Sequence, residues 1–162
     1  AVRNMIRLRY ALLPYLYSEF MKAALENTSY FRPLAFDYPD DPDAREVEDQ
    51  LLLGEGLMAA PVYVQNAHGR HVYLPESMKI LPAGHHYIRC ALDEVLLFLR
   101  PGHIVPVAQP ANSTSELDDA SLTLWSFLPD GESAEYRMYR DDGVTTEYEK
   151  KEHWKTLQIH HS

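Results

Sequence analysis

Residues 8–18 read Leu8-Arg9-Tyr10-Ala11-Leu12-Leu13-Pro14-Tyr15-Leu16-Tyr17-Ser18. Around this run the apolar residues Val2, Met5, Ile6, Tyr10, Leu13, Leu16, Tyr17, Phe20, Met21 and Ala24 recur at steps of three and four. That spacing is one face of a long amphipathic helix over residues 2–24. Pro14 falls inside it. A proline removes one backbone N–H and crowds the carbonyl four residues earlier, so a kink near Tyr10 or Ala11 is expected. The apolar face is wide and rich in Leu and Tyr, which predicts packing against a large body. No capping residue precedes Val2, so the helix reads as one cut from something longer.

Beyond Glu26-Asn27-Thr28-Ser29 the chain turns aromatic and extended over residues 30–38, broken by Pro33 and closed by Pro39. A second helix is predicted from Asp41, with Asp41 as N-cap, Pro42 in the first helical position, and Asp43 and Glu46 near its positive end. The spacing of Val47, Leu51 and Leu52 extends it to about three turns, ended by Gly54 or Gly56. From Leu57 the texture changes to short β-type runs at residues 57–64, 71–74, 87–92, 95–100, 104–107, 122–127 and 135–139. Regular spacing of this kind predicts an antiparallel sandwich. Asp141-Asp142-Gly143 reads as a hairpin turn between residues 136–140 and 145–148. The polar stretch 109–120 reads as a linker between two β units. The expected fold is mixed α and β, mainly β, divided at residues 1–56, 57–112 and 113–162.

Composition narrows the function. The 162 residues are 46% hydrophobic, enough apolar material for a core. A formal charge of −9 disfavours nucleic acid and anionic membranes, both of which call for clustered Lys and Arg. No apolar run approaches the roughly 20 residues that span a bilayer, and residues 1–10 lack the form of a signal peptide. The single cysteine, Cys90, permits no internal disulfide, which fits a cytoplasmic setting. Cys90 is expected to fill a small buried apolar position.

Several residue groups invite sharper chemistry. Asp40, Asp41 and Asp43 could supply carboxylates to calcium, but no glycine and terminal glutamate follow at calcium-loop spacing, and a capped helix start accounts for them. Asp141 and Asp142 are adjacent on a turn, whereas retaining glycoside chemistry needs two carboxyl groups facing each other at about 5 Å. His85-His86 and His160-His161 lack partners at metal-ligand spacing, and the second pair reads as an exposed tail. Trp125, Trp154, Tyr136, Tyr139 and Tyr148 could form a sugar-stacking platform, although sandwich aromatics more often serve as core or cross-strand partners. Asn27-Thr28-Ser29 and Asn112-Ser113-Thr114 fit the N-glycosylation pattern, which is read as chance without a secretory signal.

Taken in order, residues 8–18, Arg32-Pro33-Leu34 with Tyr38-Pro39 and Asp41, Asp49-Gln50-Leu51-Leu52-Leu53-Gly54 running into Ala60-Pro61-Val62, Val72-Tyr73-Leu74-Pro75, Leu97-Phe98-Leu99-Arg100 through Gly102 to Ile104-Val105-Pro106, and Tyr139-Arg140-Asp141-Asp142-Gly143 resemble the carboxyl-terminal region of glycoside hydrolase family 31. The resemblance implies that residues 1–56 are the end of a catalytic β/α barrel and that a β-sandwich follows. It implies retaining hydrolysis of α-linked sugars by two aspartates, with no metal or organic cofactor. The nucleophile motif of that family, Trp-x-Asp-Met-Asn-Glu, is absent from this sequence, so no catalytic residue is assigned and both aspartates are expected upstream of Ala1. Two departures stand out: Pro101-Gly102-His103 where Gly or Ser usually precedes the glycine, and a short stretch between Pro75 and Gly84. The expected role is to brace the barrel of an α-glucosidase-like parent. The alternatives are an independent carbohydrate-binding sandwich and a surface for self-association.

Overall fold

The structure, a computed structural model, describes residues 2–78, 81–91, 94–109, 113 and 121–161. The chain begins with two helices in line, α1 (Val2–Ala11) and α2 (Leu13–Glu26), separated at Leu12. The break falls one residue beyond the expected kink. Pro14 lies in the first turn of α2, where a missing N–H is tolerated, and the Ala11 carbonyl accepts the Ala108 N–H at 2.8 Å. One strand end thus uses a carbonyl at the break. Asn27 closes α2 in the left-handed region at φ 55°, a conformation asparagine tolerates better than most residues.

The centre is an antiparallel four-stranded sheet in the order β1 (Phe31–Pro33), β2 (Leu51–Leu53), β3 (Leu57–Ala59) and β6 (Leu97–Leu99). Pro33 is tolerated because β1 is an edge strand. Both faces of this sheet are buried. Leu53, Leu57, Leu97 and Leu99 pack into a cluster with Ala11, Leu12, Tyr15, Val105, Tyr136 and Met138. Leu52, Met58 and Phe98, one residue out of phase, pack into a second cluster with Leu34, Ala44, Val72, Leu74 and Met78. Side chains alternate across a strand, so continuous apolar runs such as Leu51-Leu52-Leu53 are what a sheet covered on both sides demands.

Two-stranded ribbons and helices supply the covers. On the first cluster lie α1, α2, the pair β7 (Ile104–Val107) and β8 (Thr123–Ser126), and the pair β9 (Ser133–Tyr139) and β10 (Trp154–His160). On the second lie the short helices α3 (Leu34–Asp37) and α4 (Pro42–Glu46) and the ribbon of β4 (Gly69–Leu74) and β5 (Gly84–Arg89). The ribbon is fastened by Gln50, which is 2% exposed. Its Oε1 accepts the Tyr73 N–H at 2.8 Å and its Nε2 donates to the Tyr73 carbonyl at 2.7 Å, so one side-chain amide replaces a strand partner. A Met78–Leu81 bridge joins the strands across the short stretch. Among the described residues no helix is long and apolar enough to cross a membrane.

Several expectations need correction. The helix from Asp41 runs only to Glu46. Val47 is already extended, and Leu51, Leu52 and Leu53 form β2 because each side of that strand faces apolar neighbours, which a helix could not serve. Gly56 lies in the turn between β2 and β3, two strands of one sheet. Asp141-Asp142-Gly143 does not turn a tight hairpin into residues 145–148. The partner of β9 is β10, with Tyr139 opposite Trp154, because Asp142 Oδ1 accepts from the Val144 and Thr145 N–H groups and the Thr145 hydroxyl and holds that segment as a loop. His160 and His161 are exposed but tied: His160 ends β10 opposite Ser133, and the His161 N–H donates to the Glu132 carbonyl. Cys90 is buried as expected. Most of the expected linker at 109–120, Asn112 and Thr114 included, lies outside the described residues.

Candidate functional site

The motif residues are far apart in sequence and meet at one turn, Leu53 to Gly56. Tyr15, wholly buried on α2, donates its hydroxyl proton to the Leu53 carbonyl at 2.6 Å and accepts the Gly56 N–H at 2.8 Å. Glu19, one helical turn on, accepts the Glu55 N–H at 3.1 Å. Arg32 Nη2 donates to the Gly54 carbonyl at 3.2 Å, and Arg100 Nη1 donates to the Glu55 carbonyl at 3.1 Å. The Gly54 N–H reaches the Tyr30 carbonyl and the Arg100 N–H reaches the Gly56 carbonyl. Helix, edge strand and central sheet are thus locked by the backbone of a single turn. Gly54 is required twice over: its φ is +64°, and a β-carbon there would lie 2.3 Å from a Glu19 carboxylate oxygen.

Charge is buried at this joint. Glu19 is 3% exposed and Lys22 is 8% exposed. Glu19 Oε1 accepts from Lys22 Nζ at 2.8 Å and from the Tyr136 hydroxyl at 2.8 Å, and the Lys22 ammonium stands 4.0 Å from the Tyr136 ring centre. Burial, reinforced by the Glu19 charge, pushes the Tyr15 and Tyr136 hydroxyls well above the ordinary range for tyrosine. They serve as neutral hydrogen-bond donors rather than acids. A second network flanks the turn. Arg32 and Arg100 both hold Asp37, at 2.8 and 3.0 Å, and Arg100 also holds Glu76 and the Tyr38 hydroxyl at 2.8 Å. Burial raises the Asp37 carboxyl, but the hydrogen bonds and charges of the two arginines outweigh it and hold the group below the usual carboxylate range.

The other candidates from the sequence are placed elsewhere. Asp41 caps α4, accepting from the Asp43 and Ala44 N–H groups, and also accepts from the Tyr73 hydroxyl at 2.6 Å. Asp43 faces His85 at 3.3 Å. His86 points the other way, to the Pro82 carbonyl, as neighbours on a strand must. Asp141 accepts from the Tyr17 and Tyr139 hydroxyls and from the Gly143 N–H, so it fastens the β9 loop to α2. The Tyr17 hydroxyl is pushed up to about 12 by burial and by that bond. The aromatic set does not assemble into a platform: Tyr136 and Tyr139 are core residues at 4% and 2% exposure, and Trp154 stacks edge-on against Tyr139 at 5.0 Å. Among the described residues no group of His, Cys, Asp and Glu is placed to hold a metal ion.

The helical arm carries a bare apolar surface. On α1, Val2 is 70% and Ile6 50% exposed, with Met5 beside them. Phe20 of α2, Tyr30 and Phe31 continue as an edge-to-face ladder with centroids 5.9 Å apart. The sequence marked α1 as apolar on one face. It gave no sign of the Glu19 and Lys22 joint, because burial of an i,i+3 ion pair depends on strands more than 30 residues away.

Comparison with known proteins agrees with this architecture. Residues 27–105 match the family described as "Glycosyl hydrolase family 31 C-terminal domain". The chain is 32% identical over 157 residues to Alpha-glucosidase 2 of Bacillus thermoamyloliquefaciens, covering 92% of this chain and 20% of that protein. It superposes on a GH31 dextranase of Flavobacterium johnsoniae complexed with glucose with a TM-score of 0.78 and 25% identity, over 94% of this chain and 20% of that one. A GH31 alpha-xylosidase of Xanthomonas citri gives a TM-score of 0.74 and 32% identity, over 85% and 16%. The chain spans about a fifth of the length of the relatives it matches. Its motif residues close one structural turn, its sequence follows a relative over 92% of its length and its fold follows one over 94%: the chain belongs to the C-terminal region of glycosyl hydrolase family 31.

Proposed function

We propose that this chain is the non-catalytic end of a retaining α-glucosidase-like hydrolase of α-linked oligosaccharides, and that it braces the catalytic barrel. The observation that carries this is the division of the helical arm. The inner side of α2 is locked into the sheets through Tyr15, Ser18, Glu19 and Lys22, whereas Val2, Met5 and Ile6 of α1 remain uncovered. An arm fixed at one end and apolar at the other is built to carry a second body. The carboxylates of Asp41, Asp141 and Asp142 support the same view, since they are engaged as caps and loop ties rather than facing one another across a cleft.

The test is Ile6→Asp, made both in the full-length enzyme that contains this chain and in the chain alone. Ile6 is half exposed here, so the isolated chain should unfold at an unchanged temperature. In the full-length enzyme the same change should remove roughly 2 kcal/mol of apolar contact with the barrel, lowering its inactivation temperature while kcat on an aryl α-glucoside at 25 °C is kept. Equal effects in both would contradict the bracing role.

A further inference from the structure

Away from the helical arm, the β4–β5 ribbon and the loop after β3 enclose an open cleft of about 330 Å³. Its walls include Asp49, Tyr63, Val64, Arg70, His71 and Tyr87, and none of its lining residues comes from α1, α2 or β1. Tyr63 is 69% and Tyr87 58% exposed. These rings are held in place. Tyr63 donates its hydroxyl to Asp49 Oδ2 at 3.1 Å and lies over the Arg70 guanidinium, and Tyr87 meets His71 across the ribbon at 5.1 Å. The guanidinium is spent on the protein itself: Asp49 Oδ1 at 2.5 Å, the Asp49 and Pro61 carbonyls at 3.0 and 2.7 Å, and the His71 carbonyl at 2.9 Å. By contrast, the Tyr87 hydroxyl and the His71 ring nitrogens have no hydrogen-bond partner among the described residues.

We propose that this cleft is an accessory, non-catalytic binding subsite for a neutral α-linked glucose oligosaccharide. Two positioned aromatic rings suit the C–H face of a pyranose, as amphipathic rings suit a ligand with one apolar and one polar side. Asp49, His71 and the Tyr87 hydroxyl supply acceptors and donors for its hydroxyl rim. Neutrality follows from Arg70, whose charge is matched by Asp49 and four of whose five N–H donors are taken by the protein, so the cleft offers no unpaired cation to a phosphate or carboxylate. The size is that of a small-molecule cleft rather than a protein interface. The identity of the sugar rests on the α-glucosidase-like parent proposed above. The subsite would hold a polymer while its end is processed elsewhere.

The experiment compares the full-length enzyme with its Tyr63→Ala/Tyr87→Ala variant in affinity electrophoresis through soluble starch and through dextran, with hydrolysis of an aryl α-glucoside measured alongside. Both positions are exposed, so the variant should keep its thermal midpoint and its aryl-glucoside kcat/KM. Its retention by one of the two polymers should weaken about tenfold or more, and Tyr63→Trp should retain the wild-type mobility shift. Unchanged retention in the double variant, or a wild-type enzyme held by neither polymer, overturns the subsite. Lost retention in a protein that never hydrolyses the aryl glucoside leaves the subsite standing and removes the α-glucosidase reading instead.

Discussion

Gly54 and Glu19 approach so closely that the turn admits no side chain. Gly54→Ala places a β-carbon 2.3 Å from the Glu19 carboxylate at φ +64°, and should cost roughly 3 kcal/mol from left-handed strain plus displacement of Glu19. Gly102→Ala is the control: φ is +79° but nothing lies within 4 Å, so only the backbone cost of about 1 kcal/mol should appear in urea unfolding. The excess at Gly54 measures the contact. Glu19→Ala should be more severe, about 3–5 kcal/mol, since it leaves the largely buried Lys22 ammonium only the more distant Glu55 carboxylate at 3.9 Å, while Glu19→Gln keeps an acceptor and should lose less. His103 adds a pH dependence. Burial and the Arg100 charge hold its imidazole below the ordinary range, so the unfolded chain binds this proton more readily than the folded one. The stability it contributes is complete above the unfolded value of about 6.5 and is lost as pH falls through the folded value. Urea midpoints should fall between pH 7.5 and 5, and less so in His103→Asn. Asp37, held low by its arginines, opens a separate loss below about pH 4 by the same linkage.

At the scale of elements, the Gln50 amide takes the place of a strand partner along the β4 edge of the ribbon β4–β5. Gln50→Leu leaves the half-buried Tyr73 N–H and carbonyl without their partner, which should cost about 1–3 kcal/mol and speed hydrogen exchange at the Tyr73 amide relative to the central sheet. The elements also show what a sequence can and cannot disclose. The helical period of residues 2–24 was legible because one face is apolar throughout, and Pro14 located the break to within a residue. Asp41 and Pro42 gave the start of α4 for the same local reasons. Its end was illegible. Leu51, Leu52 and Leu53 satisfy a helical pattern as well as a strand buried on both faces, and only the pairing of β2 with β1 and β3 decides between them. Likewise β10 has half-polar alternation, Trp154-Lys155-Thr156-Leu157-Gln158-Ile159, and its pairing partner β9 lies across a loop that Asp142 shapes.

Across the whole molecule, motifs scattered over 85 positions from Tyr15 to Arg100 converge to hold one turn, and that turn joins an arm to a sheet with a core on each face. The motif residues are therefore architectural in this chain, a role their order in sequence could not show. The resemblance they carry reached the family, whereas the joint at Glu19 and the cleft at Tyr63 became visible only once strands distant in sequence were side by side. Under the proposed bracing role, the arm is the part that faces another body, and the sheets are the part that keeps it rigid. The most direct test of this account is hydrolysis of an aryl α-glucoside, measured side by side for the purified 162-residue chain and for the full-length enzyme that contains it. Turnover by the full-length enzyme with none by the chain is the predicted result, and turnover by the chain alone would contradict it.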